Sequence, residues 1–290
     1  MPAWTKYTVP GSLVAIVEGP DGNLWAPDDS TTVLKITPSG GYTAYTAGAT
    51  SPDVPVTIVV GSDGNLWTPN NTGMRRITTA GVVTAFGSFG ATTNGPVAAG
   101  PDGNLWTQFL VSGSLPIERF TTAGVRTSFS SPSSFPMYGI STNGTNLYLV
   151  TDLGQFYLLT TAGVHTLLNS NIGNAGQLCF DGTNFWCAGG GGSVTKITVA
   201  GVATSYTISS GAQLDSICFD GTNLWAGDAV TGNGLWEIPP ASPTSAAVYP
   251  LAGASITGVC TGPGGIWACD ANNAVWGPGS AYSNQIVMIL

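Results

Sequence analysis

A five-residue phrase, Asp-Gly-Asn-Leu-Trp, occurs three times in the chain, at Asp21–Trp25, Asp63–Trp67 and Asp102–Trp106. It returns one residue longer at Asn143–Tyr148, Asp181–Trp186 and Asp220–Trp225, and in eroded form at Gly262–Trp267. The closing aromatics are Trp25, Trp67, Trp106, Tyr148, Trp186, Trp225 and Trp267, spaced by 42, 39, 42, 38, 39 and 42 residues. A unit of that length, repeated seven times, matches the blades of a propeller. The expected fold class is therefore all-β: a seven-bladed β-propeller of four-stranded blades, with residues 1–290 forming one domain. The repeated aromatics are expected to be structural, as wedges between neighbouring blades, because a buried side chain of that size contributes about 3 kcal/mol.

A second mark follows the first within each unit. It reads Ile77-Thr-Thr-Ala-Gly-Val82, Phe120-Thr-Thr-Ala-Gly-Val125, Leu159-Thr-Thr-Ala-Gly-Val164 and Ile197-Thr-Val-Ala-Gly-Val202. Ile36-Thr-Pro-Ser-Gly-Gly41 is a close relative and Ile238-Pro-Pro-Ala-Ser242 an eroded one. The second unit then resolves into strands over Val56–Val60, from Leu66, over Met74–Thr78 and over Val82–Phe86. Asp63-Gly64-Asn65 makes the first hairpin turn, where glycine adopts positive φ cheaply. At the ends, Gln285–Leu290 is expected to be the third strand of the last unit, and Trp4–Val9 a fourth strand with no three before it. One blade built from both termini closes the ring and hides its sheet edges.

Charged residues are 8% of the 290, about a third of the usual share. Aromatic and β-branched residues are plentiful, so a core forms under a neutral polar surface rich in Thr, Ser, Gly and Asn. The net charge is −8, and no basic cluster exceeds Arg75–Arg76, which argues against a nucleic-acid partner. The N-terminal residues lack the apolar core of a signal peptide, and the apolar run Ile286–Leu290 is too short to span a bilayer. No membrane partner and no standard secretory export are expected. Of the five cysteines, Cys179, Cys218 and Cys260 each stand seven residues before a repeat Trp, as buried thiols at one repeated position.

The phrase Gly-Pro-Asp-Gly-Asn-Leu-Trp, followed by Ile-Thr-Thr-Ala-Gly-Val-Val-Thr, resembles the repeats of the streptogramin B (virginiamycin B) lyase family. The resemblance covers nearly the whole chain, strongest over Leu13–Phe129 and weakest after Gly227. It implies a seven-bladed propeller. The family's enzyme opens a lactone by elimination with a bound magnesium ion and with Glu and His residues on one face. There the repeat Trp is typically followed by Phe-Thr-Glu, whereas here the following residues run Ala26-Pro27-Asp28, Thr68-Pro69-Asn70, Thr107-Gln108-Phe109 and so on around the ring. No glutamate stands at that position and no histidine matches, so none of the family's catalytic residues carries over.

The remaining chemistry is sparse. The single histidine, His165, falls in an expected outer strand and reads as a solvated surface residue. Glu18, Glu118 and Glu237 lie in different registers and form no evident pair. Gly189–Gly192 reads as a tight loop, since no helix follows to cradle a phosphate. Asp28, Asp228 and Asp270 each fall three residues after a repeat Trp, with Asn70 in the same register. They are the candidate oxygen ligands for a hard cation, against the preferred reading that they cap their own loops. No cofactor is expected. The composition and the missing catalytic set point to a non-enzymatic structural or attachment protein of a bacteriophage-like particle. It would sit on the exposed virion surface and bind other virion proteins or a host-surface glycan through a propeller face and through loops such as Thr46–Pro55 and Phe86–Pro96. The alternatives are a divergent metal-dependent lyase or hydrolase of the streptogramin B lyase type, and a cytoplasmic location.

Overall fold

The Asp-Gly-Asn phrase and its tryptophan form one hydrogen-bonded unit. Asp21 Oδ1 accepts from the Asn23 amide and from Trp25 Nε1, at 3.3 and 3.1 Å. The same latch recurs at Trp67 to Asp63 (3.0 Å), Trp106 to Asp102 (3.1 Å), Trp186 to Asp181 (2.6 Å) and Trp225 to Asp220 (2.7 Å). In the eroded copy Trp267 donates to the Pro263 carbonyl instead. The carboxylate thus holds the turn and lets an indole N–H be buried with a partner. The computed structural model describes residues 4–47, 57–87, 91–173, 175–232 and 234–278, with the backbone alone for 91–94.

Seven antiparallel sheets follow one another around a ring, each with four strands in chain order, and the third carries one extra strand. In the second blade the strands are Val59–Val60, Leu66–Asn70, Gly73–Ile77 and Val83–Phe86; Val56 lies outside the described residues. The repeat Trp side chains at 25, 67, 106 and 186 have no exposed surface. Trp25 packs with Leu66 and Ile77 of the next blade, as a wedge between sheets must. An aromatic of the outer strand packs on it in six blades: Tyr45 stacks on Trp25, Phe86 on Trp67 and Phe129 on Trp106, at centroid distances of 5.3 to 5.6 Å, Tyr7 stacks on Trp267, and Tyr206 and Tyr249 lie tilted against Trp186 and Trp225.

That stack explains the second repeat mark. Gly124 has φ +84, and a Cβ there would stand 1.9 Å from the Phe86 ring of the preceding blade; Gly81 meets Tyr45 and Gly163 meets Phe129 in the same way. Only glycine supplies both the left-handed backbone and the missing side chain. The third-strand cations tie the same junctions. Lys35, Arg76 and Arg119 donate to the carbonyls of Thr79, Thr122 and Thr161 in the next blade while lying over Trp25, Trp67 and Trp106.

The ring closes with strand Trp4–Thr8 on the outside of the last blade, paired with Ala274–Pro278 in the register Trp4 to Pro278 through Thr8 to Ala274. Its Tyr7 occupies the place of the outer-strand aromatics elsewhere, stacked on Trp267 at 5.9 Å. The third strand of this blade is Ala274–Pro278, which corrects the expectation of Gln285–Leu290; those residues lie outside the described ones. The register follows from Asp270, whose Oδ1 caps the turn by accepting from Asn272 and Ala274 amides and whose Oδ2 takes the Trp276 Nε1 proton at 2.9 Å. All five thiols are free. Cys179, Cys218 and Cys260 each pair in register with a repeat Trp. Burial pushes Cys187, Cys218 and Cys269 up to about 12, so they are protonated thiols at neutral pH.

The latches make stability fall in acid. Burial alone would raise the carboxyls of Asp21, Asp63, Asp102 and Asp181, but hydrogen bonds from Asn, Trp and backbone donors outweigh it and hold all four below the ordinary 3.8. A depressed folded-state pKa gives stability that is fully present above 3.8 and lost as pH falls through the folded value. The expected result is a melting temperature flat above about pH 5 and falling steeply toward pH 2.5. The double variant Asp63→Asn/Asp102→Asn should melt lower at pH 7 yet show a shallower acid slope. Equal slopes for both proteins would contradict the latch.

Candidate binding site

In a propeller the loops between second and third strands, and those from one blade to the next, share one face. On that face the chain departs from its own repeat. The second strand of blade three runs on to Leu105–Val111, and an additional strand, Ala91–Asn94, pairs with its end. A tight turn follows, with Ser112 at φ 50 and a two-way hydrogen bond between Val111 and Ser114. Among the described residues this hairpin makes a wall that no other blade has. Gln108 fastens it to the segment entering blade four: its Oε1 accepts from the Met137 amide at 2.7 Å and its Nε2 donates to the Leu115 carbonyl at 3.0 Å.

Between wall and segment lies a cleft of about 630 Å³, lined by Leu110, Leu115, Pro136, Met137 and Tyr138, with Gln108, Ser134, Thr57 and Gln177 among its polar edges. Tyr138 is 50% exposed because it is a bulge residue, skipped by the pairing between Met137 and Gly139. Asp215 and Thr257 are the skipped residues in blades six and seven. Nearby Phe135 is also exposed.

The cleft runs into the channel mouth, sharing Thr57, Pro96 and Gln177 with an axial cup of about 170 Å³. The walls of the cup are short residues such as Ala15, Gly139 and Gly258. Its floor is aliphatic: Ile16, Ile58, Val97, Ile140, Leu178 and Val259 line it. Together with Ile217 they occupy one register, each just before the residue paired with a repeat aromatic. Six of these side chains are only 5% (Ile217) to 9% (Ile58) exposed and Val97 is partly buried, so they narrow the channel at this level. The Thr57 hydroxyl is buried with no partner. Among the described residues lining cup and cleft there is no Asp, Glu, His, Lys or Arg; Tyr138 is the one ionisable side chain.

The carboxylates singled out in the sequence lie elsewhere and are occupied. Asp28 Oδ1 accepts from the amides of Ser30 and Thr32 and from the Ser30 hydroxyl. Asp228 accepts from the amides of Gln213, Val230 and Thr231 and from the Thr231 hydroxyl, and these donors hold it below the ordinary range against the opposing effect of burial. Asp270 is bound as described above, and Asn70 Oδ1 caps Thr72 and Gly73. Each therefore caps its own loop. Among the described residues no three His, Cys, Asp or Glu side chains gather as a metal requires. Asp215, not singled out from sequence, is pushed up by burial and by the Asp228 charge.

Glu118 is fully buried, gripped by Arg126 and Ser128, and Glu237 accepts from Asn223 and Tyr249, each inside its own blade. His165 is on the outer strand His165–Asn169, half-buried with Nδ1 unpartnered and its ring edge-on to Tyr157. It is therefore less solvated than expected. Of the tight loop expected at Gly189–Gly192, Gly189 instead ends the strand Asn184–Gly189, and residues 190–192 make the turn, with Gly191 and Gly192 at positive φ. Of the two loops named as partner surfaces, 48–56 and 88–90 lie outside the described residues.

Virginiamycin B lyase from Staphylococcus aureus superposes with a TM-score of 0.82, covering 95% of this chain and 98% of that one at 18% identity. A streptogramin B lyase structure follows at 0.81, covering 95% and 97% at 16% identity. The chain shares the virginiamycin B lyase fold. The WD40 propeller domain of Doa1 also superposes, at 0.72 with 11% identity over 97% of this chain and 99% of that one. No protein-family model matches the chain, and no curated protein matches it. At these identities the likeness to the lyases is one of architecture, and architecture alone carries no activity. The cleft could not be found from the repeats, because it is built where the repeat is broken. The aliphatic floor had a signal: a branched aliphatic eight or nine residues before every repeat aromatic.

Proposed function

We propose that the chain is a non-enzymatic binding propeller, a structural or attachment subunit of a bacteriophage-like particle. Its cup and cleft, on the virion's exposed surface, receive an uncharged partner, a segment of another virion protein or a host-surface glycan. The observation that carries this reading is the absence of charge among the described residues lining that space. Opening a lactone by elimination needs a base to take a proton, and the described lining offers no carboxylate, imidazole or amine for that step. An apolar floor, one exposed tyrosine and a few amide and hydroxyl edges suit recognition instead, since pockets bind through apolar walls with a few placed polar groups. The chain-wide scarcity of charge fits a subunit whose surface meets neutral neighbours.

The lyase-like fold favours a second reading, a divergent metal-dependent lyase, and one experiment separates the two. A streptogramin B-type cyclic depsipeptide is incubated with the protein and Mg²⁺ and followed by reversed-phase chromatography, because elimination changes retention while leaving mass unchanged. In parallel, neutral oligosaccharides and uncharged peptides are passed over immobilised protein. The expected outcome is intact depsipeptide, together with a retained ligand that Tyr138→Ala and Leu110→Asp each weaken about tenfold or more. A ring-opened product, or retention indifferent to both substitutions, would contradict the proposal.

A further inference from the structure

We propose that the partner in the cleft is a second copy of this chain, whose apolar run Ile286–Leu290 seats there and links copies head to tail. This rests on the reading of the cleft as a binding seat and names its occupant.

Every blade already has its four strands within residues 4–278, and the place once expected for Gln285–Leu290 is filled by Ala274–Pro278. The run's sequence, Ile-Val-Met-Ile-Leu, is the longest uncharged apolar run at that end of the chain. A run of this composition suits an apolar seat.

The direction of the chain decides whose seat. Strand Ala274–Pro278 descends from the Asp270 turn, on the cleft face, to Pro278, which pairs with Trp4 at the foot of the blade. The chain therefore leaves the described ring on the face opposite the cleft. The cleft also lies over blades three and four, across the ring from blade seven. The seven residues 279–285 reach at most about 25 Å. Returning to the chain's own cleft means rounding the outer strand, climbing about 17 Å of blade and crossing inward past three more strands and the channel. With strands about 4.8 Å apart, that path is roughly 40 Å or more. The chain's own cleft is out of reach, while that of a copy stacked beneath is adjacent.

The surfaces match in kind. Leu110, Leu115, Pro136 and Met137 present apolar walls without a charged neighbour among the described lining residues, and the run brings branched and thioether side chains without charge. Because donor and acceptor patches lie on opposite faces, the contact is heterologous and builds open chains.

The test uses three proteins: the full chain, a truncation ending at Pro278 that keeps all seven blades, and full-length Leu110→Asp, with Leu115→Asp as a second cleft variant. Near-UV circular dichroism confirms that each is folded. By sedimentation, the full chain should grow in mass between 10 and 100 µM, on the order of the Kd of a single short contact. The truncation and the cleft variants should remain monomers. An equimolar mixture of truncation and Leu110→Asp should give pairs and nothing larger, since one supplies only a cleft and the other only a run. A labelled peptide of residues 279–290 should bind the truncation and lose at least tenfold on a truncated Leu110→Asp. A full chain that stays monomeric, assembly that survives both changes, or a peptide that does not bind would overturn the proposal. If the peptide fails while Leu110→Asp still abolishes retention of a ligand from the panel, only self-association falls. If the cleft substitutions change nothing in either experiment, the binding seat falls with it.

Discussion

Trp106→Ala should lower the unfolding free energy by about 3–5 kcal/mol, the range for emptying a large buried aromatic site. The indole has no exposed surface and packs with Ile140, Leu147 and Leu149 of blade four as well as Ile117 of its own sheet. It is stacked on Phe129 at 5.4 Å, lies under the Arg119 guanidinium and donates to Asp102. Removing it takes the filling from between two stiff sheets that cannot close on the gap, and leaves a charged acceptor short of a donor. Trp106→Phe keeps most of the volume and the stack, so its loss should be smaller, about 1.5–3 kcal/mol, the worth of a hydrogen bond to a charged group. Urea unfolding of the two variants gives both numbers. A loss near zero in Trp106→Phe would show that the latch contributes nothing beyond volume.

Deleting residues 1–8 should lower the melting temperature by about 10–20 °C and make the protein aggregate on heating. The strand contributes more than five residues of pairing. Tyr7 stacks on Trp267 and fits against Gly40 of blade one, where a Cβ would meet its ring at 2.1 Å. Trp4 lies on the other side of the sheet, edge-on to Trp225 at 6.1 Å and near Tyr249 of blade six. One strand therefore seals the last blade to both neighbours. Losing two half-buried aromatics, each worth about 2 kcal/mol, together with the strand pairing, accounts for the shift. The uncovered edge Ala274–Pro278 then offers unpaired backbone groups to other chains. Differential scanning calorimetry with light scattering measures both effects, and an unchanged transition would contradict the closure.

The repeat made the architecture legible because each mark encodes a junction. Asp-Gly-Asn-Leu-Trp holds a turn and a wedge through one carboxylate. Thr-Thr-Ala-Gly supplies the glycine against which the preceding blade's outer aromatic lies. The end of the chain misled for a physical reason. Ile286–Leu290 has the apolar, β-branched look of a strand, whereas Ala274-Val275-Trp276-Gly277-Pro278 carries the glycine and proline of a loop. Here Gly277 lies flat against Trp267, where a Cβ would come within 2.3 Å of the ring, and Pro278 stands at the strand's last position.

The loop aspartates were legible as residues but not as neighbours. Asp28, Asp228 and Asp270 recur in register because each blade needs the same turn capped. The cleft was illegible because its makers carry no motif: an extra strand at Ala91–Asn94, an amide at Gln108 and a bulge at Tyr138. A neutral site leaves no titratable signature in a sequence, and only the breaking of seven-fold regularity exposes it.

Hydrogen exchange by mass spectrometry on the intact chain tests the closed ring on which cup, cleft and exit face all depend. The backbone amides of Trp4–Thr8 that face Ala274–Pro278 should be protected, and both segments should lose protection together in Tyr7→Ala. Rapid exchange of Trp4–Thr8 beside a protected Ala274–Pro278 would show that the first strand is no part of the last blade.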